Sequence, residues 1–102
     1  MLYQQGDVLF KSVGQIPPGA KKQKRTRRGY VLAEGEATGH CHSVLDDIEY
    51  FERNGVFYIH AGEEFRVRHQ EHKVVTLPPG DYEVGRVREY DHFAEEARYV
   101  RD

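Results

Sequence analysis

The sequence has a single cysteine, Cys41, no tryptophan and no long apolar run. One cysteine cannot form an internal disulfide, which excludes the disulfide-stapled secreted scaffolds. No stretch approaches the roughly 20 apolar residues that a membrane-spanning helix requires. Residues 1–7 lack the basic and apolar regions of a signal peptide. These absences predict a cytoplasmic protein with no membrane partner.

The common enzyme signatures are also missing. The sequence has no G-x-S-x-G nucleophile elbow, no phosphate-binding P-loop, no dinucleotide-binding fingerprint and no C-x-x-C motif. At 102 residues the chain has room for one domain, which we expect to span residues 1–102. Any function must therefore be sought in less specific groupings of side chains.

Turn-forming residues alternate at short intervals with β-branched and aromatic residues, a rhythm typical of all-β domains. Asn54-Gly55 lies between two apolar runs and is the strongest hairpin signal, because both residues tolerate positive φ. The expected fold is a small all-β, single-domain β-barrel or sandwich. The predicted strands lie near residues 7–13, 29–34, 40–45, 48–52, 56–60, 64–69, 72–77 and 81–88.

The C-terminal segment changes period. Phe93, Ala97 and Val100 follow the i, i+4, i+7 spacing of a helical face, and Asp91 is a candidate N-cap. So short a helix is marginal alone. The pattern therefore predicts a short C-terminal helix over residues 91–100 that docks on the body of the protein or on a partner.

The net charge of −2 conceals a basic segment, in which six of the eight residues at 21–28 are basic. Of the fifteen basic residues nine lie elsewhere, against seventeen acidic residues, so the rest of the chain carries a formal charge of −8. Together with Pro17-Pro18-Gly19, this composition predicts a long exposed basic loop over residues 14–28. The basic residues are Lys21, Lys22, Lys24, Arg25, Arg27 and Arg28.

Two interpretations of this loop remain open. It is a solvated segment, or it is a surface that binds a protein or the phosphates of a nucleic acid, with salt-sensitive affinity. In the second case Tyr30, directly after the basic run, is placed to stack on an exposed base. No RRM, KH or zinc-finger signature accompanies it.

Four of the six histidines fall in two short motifs, and the first is Gly39-His40-Cys41-His42. If this motif is a strand, His40 and His42 lie on one face about 6.6 Å apart along the chain. Cys41 then points to the opposite face and is expected to be a buried thiol rather than a ligand. Two imidazoles on one face can converge on one metal ion.

The second motif, His69-Gln70-Glu71-His72, lies between two alternating runs and is predicted at a hairpin tip. A two-residue turn at Gln70-Glu71 places His69 opposite His72 and Val67 opposite Val74. A four-residue loop is the alternative register. Either way the two histidines are expected near each other at the end of a sheet.

These histidines predict a site for a divalent transition metal (Zn, Fe, Ni or Mn), because neutral imidazole and carboxylate are common ligands of such ions. The alternative is that they are exposed polar residues with no ligand. His60 and His92 are expected to be structural. The predicted metal ligands are His40, His42, Asp46, His69, His72 and Glu83.

Residues 35–83 resemble the cupins, a superfamily of small β-barrels. The resemblance implies a metal held by His40 and His42 with Asp46 and Glu83, and it fixes no reaction. The segments around Gly35 and Leu77 also look like a set of short uncharacterised bacterial proteins, which implies no function. The residues that look like the first cupin motif are Gly35, His40, His42 and Gly55, with Asp46 in place of the motif's Glu. Pro78-Pro79-Gly80 looks like part of the second motif, and Glu83 stands where that motif has a histidine.

The sequence thus favours a small β-barrel protein that binds a divalent transition metal through histidines, with a cupin-like small-molecule enzyme as its extension. The alternative is a non-catalytic module that binds nucleic acid or protein through residues 21–28. A small-molecule ligand and a second copy of the chain remain open as further partners.

Overall fold

A computed structural model describes residues 1–34 and 39–87, and every element that it defines in these ranges is a β-strand. The all-β prediction is therefore confirmed. The helix predicted over residues 91–100 lies outside the described residues. The strands are β1 (Leu2–Gln5), β2 (Val8–Val13), β3 (Lys21–Lys22), β4 (Tyr30–Glu34), β5 (Cys41–Val44), β6 (Glu49–Arg53), β7 (Val56–Ala61), β8 (Phe65–Arg68), β9 (Val75–Leu77) and β10 (Gly80–Arg86).

The strands form two antiparallel sheets. One has six strands in the order β1-β2-β10-β7-β6-β3, and the other has four in the order β4-β5-β8-β9. Each sheet ends in two edge strands, so the sheets are open and do not close into a barrel. Within the described residues, no helix is long and apolar enough to cross a membrane.

Both sheets contribute to one hydrophobic core. Phe10 and Ile59 come from the six-stranded sheet, whereas Phe65 and Val67 come from the four-stranded sheet, and all four are at most 1% exposed. Arg66, between the last two, is exposed, as expected for a strand with one face covered. Burying each large apolar side chain contributes about 1.5–3 kcal/mol, so the alternation decides which face of each strand turns inward.

The Asn54-Gly55 turn joins β6 and β7 as predicted. Asn54 has φ +52° and Gly55 has φ +79°. Arg53 pairs directly with Val56. Positive φ at both central residues matches the right-handed twist of the flanking strands. Local turn chemistry alone therefore determines this hairpin.

The predicted register of the next hairpin is wrong by one residue. Val67 pairs with Val75 rather than Val74, and residues 69–74 connect the two strands. The observed register buries Leu77 completely and leaves Val74 46% exposed. Packing of Leu77 in the core therefore decides the register, and the histidine motif lies in a six-residue connection rather than a tight turn.

The basic segment is not a plain loop. Lys21–Lys22 forms β3 and pairs with β6. The Gln23 backbone N–H then donates to the Tyr50 carbonyl. Residues 26–29 close a tight turn with two backbone hydrogen bonds between Thr26 and Gly29. Residues 21–23 therefore lie along β6, whereas residues 26–29 form a turn of their own.

Candidate functional site

The structure brings the histidines of both motifs together. Extending the register of β5 and β8 by one residue from the Ser43–Arg68 pair places His42 beside His69, and their ring centroids are 4.4 Å apart. The His69 ring also lies 4.6 Å from that of His72 and 5.8 Å from that of His40. We call His40, His42, His69 and His72 the histidine cluster.

His42 is the buried member of the cluster, with 3% of its surface exposed. Strand β5 lies between β4 and β8, and all four of its residues are buried. His42 and Val44 share a face, because side chains two apart in a strand point the same way. Burial and then the neighbouring His69 lower the pKa of His42 to about 4, so its imidazole is neutral at pH 7.

Gln5, at the end of β1, contacts the Nδ1 side of this imidazole and is only 2% exposed. Its amide Nε2 donates to the carbonyls of Val67 and Lys73, at 2.9 Å each. Its Oε1 lies 2.8 Å from His42 Nδ1. A carboxamide oxygen can only accept, so Nδ1 carries the proton and the neutral ring keeps a lone pair on Nε2.

The Asp7 carboxylate faces the lone pair of His42 Nε2. Its Oδ1 lies 3.7 Å from His42 Nε2, and its Oδ2 accepts a hydrogen bond of 2.9 Å from Arg86 Nη1. Because His42 is neutral, both facing atoms are acceptors and neither can donate to the other. Two ligand atoms each about 2.1 Å from one ion stand about 3.4–3.6 Å apart at tetrahedral to trigonal angles. The spacing therefore fits a shared cation.

His69 is oriented differently. Its Nδ1 accepts from the backbone N–H groups of Glu71 at 3.0 Å and His72 at 3.3 Å. The neutral ring therefore carries its proton on Nε2. Burial is the largest cause that lowers the pKa of His69, and the neighbouring His72 and His40 lower it further. In this arrangement neither ring nitrogen of His69 has a lone pair free to bind an ion.

The turn between β1 and β2 packs directly on His72. Gly6 has φ +58°, and a Cβ added to it would lie 2.7 Å from His72 Nε2. Only glycine both adopts this backbone conformation without strain and leaves room for the ring. Three consecutive residues, Gln5, Gly6 and Asp7, thus contact the histidine cluster.

A formed metal site is not present in this arrangement. Within residues 1–34 and 39–87, no three His, Cys, Asp or Glu side chains are grouped so that they could hold an ion. His42 Nε2 and Asp7 Oδ1 are the pair of atoms that could contact one ion, and a third ligand from residues 69–74 would require a histidine ring to reorient.

The two carboxylates predicted as ligands lie elsewhere. Asp46 accepts hydrogen bonds from the Arg66 backbone N–H at 2.8 Å and from its Nη2 at 3.1 Å, and these contacts lower the pKa of Asp46. Glu83 lies in the middle of β10, about 10 Å along the strand from Arg86. Asp7, which the sequence did not indicate, occupies the place expected for these residues.

The remaining histidine contacts are at the surface. His40 Nδ1 lies 3.6 Å from Glu71 Oε2. His60, expected to be structural, bonds to Asp81 across the six-stranded sheet and lies 4.0 Å from Glu49. His92 lies outside the described residues. His60 thus takes part in a cross-strand polar row distant from the cluster.

The basic segment divides into paired and unpaired charges. Lys22 Nζ lies 3.1 Å from Glu49, and Arg28 Nη2 lies 2.8 Å from Glu34. These two cations are occupied by the protein's own carboxylates. Of the six cations at residues 21–28, the other four are exposed and have no carboxylate partner among the described residues: Lys21, Lys24, Arg25 and Arg27.

The sequence was also compared with known proteins. Neither a curated protein nor a solved structure matches it, and none of the comparisons supports the cupin resemblance. A protein-family model matches residues 4–87, a span that includes the histidine cluster and the Gln5-Gly6-Asp7 turn. The chain therefore belongs to the family described as a domain of unknown function (DUF8820).

Proposed function

We propose that the protein binds a divalent transition metal at the histidine cluster, through His42 Nε2 and the Asp7 carboxylate. The observation that carries this proposal is the pair of facing acceptors, 3.7 Å apart. The imidazole nitrogen and the carboxylate oxygen both present lone pairs to the same gap, and the half-exposed Asp7 side chain lets an ion enter it from solvent. A cation between the two atoms satisfies both.

The surroundings of the pair support this proposal. Metal-ligating histidines almost always donate their second ring N–H to a carbonyl, carboxylate or water, and ligating carboxylates are themselves hydrogen-bonded. His42 donates its Nδ1 proton to Gln5, and Asp7 accepts from Arg86. A nitrogen–oxygen ligand set of this kind suits zinc, iron, nickel or manganese.

His72 is the third ligand that needs the least rearrangement. Its ring centroid lies 5.8 Å from that of His42, with the two ring planes 16° apart, so the His72 ring is near enough but would have to rotate before both imidazoles could face one ion. His69 would first have to move its proton and release the N–H groups of Glu71 and His72. Three protein ligands leave a position for water or a small molecule, the arrangement of catalytic metal sites.

Thermal unfolding of untagged protein tests the proposal. A metal at about 100 times its dissociation constant adds about 2.7 kcal/mol to the free energy of unfolding, which raises the Tm of a domain this size by several degrees. Chelator should reverse the rise. Asp7→Asn and His42→Gln should abolish it, whereas His60→Gln, at an exposed histidine beside Asp81, should keep it.

Two results would overturn the proposal. The first is an unchanged Tm with zinc, iron, nickel and manganese. The second is a metal response that disappears in His60→Gln and persists in His42→Gln, because the ion would then bind on the outer face of the six-stranded sheet.

The basic segment supports a second candidate function, binding of single-stranded nucleic acid. The observation that favours it is a run of exposed cations on a segment that residues 21–23 attach to β6. Lys21, Lys24, Arg25 and Arg27 have no carboxylate partner among the described residues. Tyr30 is engaged with Tyr50 at a ring-centroid distance of 6.1 Å and packs on the core. The contacts available are thus to phosphates rather than to bases.

Binding of a fluorescent single-stranded DNA at several salt concentrations tests this candidate. Affinity should fall with salt, and the triple variant Lys24→Gln, Arg25→Gln, Arg27→Gln should reduce the slope by about 2 on a log–log plot. The matched control neutralises the paired cations, Lys22→Gln with Arg28→Gln, and should change the slope less. Absence of binding at low salt would rule the candidate out.

A further inference from the structure

We propose that Gln5 is a positioning residue of this site: it selects the Nδ1-protonated tautomer of His42 and thereby turns the Nε2 lone pair toward Asp7. The effect on metal affinity rests on the proposed function, whereas the choice of tautomer does not. The inference follows from the hydrogen bonds of one buried side chain.

The orientation of the Gln5 amide is determined by its neighbours. Both N–H groups are used, one toward the Val67 carbonyl on β8 and one toward the Lys73 carbonyl in the 69–74 connection, at 2.9 Å each. A flipped amide would set its oxygen against two carbonyl oxygens. Since Gln5 is 2% exposed, water is not at hand to compensate for that arrangement. Oε1 is therefore the atom that faces His42.

The amide orientation in turn determines the imidazole. With Oε1 as acceptor 2.8 Å from Nδ1, protonated Nδ1 forms a hydrogen bond. The other tautomer would place two acceptors in contact inside the protein and lose that bond. The cost of a buried unsatisfied acceptor corresponds to a preference on the order of 10- to 100-fold for the Nδ1–H form. His42 Nε2 is therefore unprotonated and carries a lone pair before any ion binds.

Gln5 also links the two halves of the site. Its bond to the Lys73 carbonyl ties β1 to the connection that carries His69 and His72. Gly6, the next residue, admits the His72 ring, and Asp7 supplies the oxygen. In the turn between β1 and β2, Gln5 therefore orients the proposed ligand His42. Gly6 makes room for the proposed ligand His72, and Asp7 is itself a proposed ligand.

Nitrogen NMR of the imidazoles tests the inference on metal-free protein. In ¹⁵N-labelled protein with chelator at pH 7, two-bond proton–nitrogen correlations distinguish protonated from unprotonated ring nitrogens. We expect His42 with Nδ1 protonated and Nε2 unprotonated. Gln5→Met removes the acceptor that faces Nδ1 and should shift His42 toward the Nε2–H form.

The matched control is Gln4→Met, at the neighbouring exposed residue whose amide bonds only locally to the Gly6 carbonyl. Its His42 signals should remain those of the wild type. In metal titrations Gln5→Met should weaken binding about 10- to 100-fold, the usual loss when the hydrogen-bond partner of a ligand is removed.

The outcomes separate this inference from the metal proposal. An Nε2-protonated His42 in the wild type overturns the inference, even if Gln5→Met does not fold. An Nδ1–H pattern that survives unchanged in folded Gln5→Met overturns it too, because Gln5 is then not the selector. If the expected tautomers are observed and no metal binds, the tautomer assignment is supported and the proposed function fails.

Discussion

His42 is an ionisable side chain held almost wholly inside the protein, and its charge state links the site to the stability of the fold. Because the pKa of His42 falls to about 4, the folded protein resists protonation where an unfolded histidine, with a pKa of about 6.5, accepts it. The folded state thus favours the neutral imidazole, which the proposed metal binding also requires.

This pKa difference predicts loss of stability in mild acid. Between about pH 6.5 and pH 4 the unfolded chain binds a proton that folded His42 does not, so the free energy of unfolding falls as the pH decreases. The expected contribution is about 3 kcal/mol. Urea unfolding in chelator at pH 7 and pH 4.5 measures it. The lowered pKa of Asp46 acts at lower pH, below about 4.

A His42→Gln variant provides the comparison, because it removes the titrating group. Its free energy of unfolding should fall less than that of the wild type between the two pH values, and the fall that remains is expected from His69, whose pKa is also lowered. His60→Gln, at an exposed position, should retain the wild-type fall. An equally steep fall in His42→Gln would show that another group causes the acid sensitivity.

Residue type and spacing were enough to predict the four clustered histidines, but not their partners. Gln5 and Asp7 meet His42 through contacts that join distant parts of the chain, and no local pattern marks them. Asp46 has the spacing of a ligand, yet Arg66 engages both of its oxygens. Competition of this kind between partners depends on the folded arrangement and is not visible in a sequence.

Among the elements, the turn between β1 and β2 is the one that links the fold most directly to the site. Its Gly6 has φ +58° and no space for a Cβ beside His72. Gly55, in the turn between β6 and β7, has φ +79° and open space around it. Both glycines therefore have a positive φ, but of the two only Gly6 contacts the candidate site.

Replacing each glycine with alanine separates these two effects. Left-handed backbone costs a non-glycine residue about 1–2 kcal/mol, so both variants should lose about this much stability in urea. Gly6→Ala should lose more, because the new Cβ displaces the His72 ring, and its Tm response to metal should weaken. The account is contradicted if Gly6→Ala matches Gly55→Ala in stability and keeps the full metal response.

For strands and turns, the sequence predicted the elements that local residue chemistry determines. It missed the elements that packing in the core determines. The Asn54-Gly55 turn has the residues that its backbone requires. The register after β8 depends instead on Leu77 entering the core. Strand β1 was not predicted, because inward-pointing Gln5 interrupts the apolar alternation. The interruption of the alternation by Gln5 indicates the candidate site, because Gln5 is a buried polar residue that bonds to His42.

For the whole molecule, the histidine cluster lies where the β1–β2 turn of one sheet meets β5 and residues 69–74 of the other. Strand periodicity predicted the all-β class but left barrel and sandwich open, because it does not determine which edges pair. The cupin resemblance implied a closed barrel. The strands instead form two open sheets, and their contact positions Asp7 opposite His42.

The most direct test of the central claim is to locate the metal itself. Crystals grown or soaked with zinc, with data collected above and below the zinc absorption edge, should show an anomalous peak about 2.0–2.2 Å from both His42 Nε2 and an Asp7 oxygen, with the His72 ring turned toward it. No peak at saturating zinc, or a peak only beside His60 and Asp81, would contradict the account.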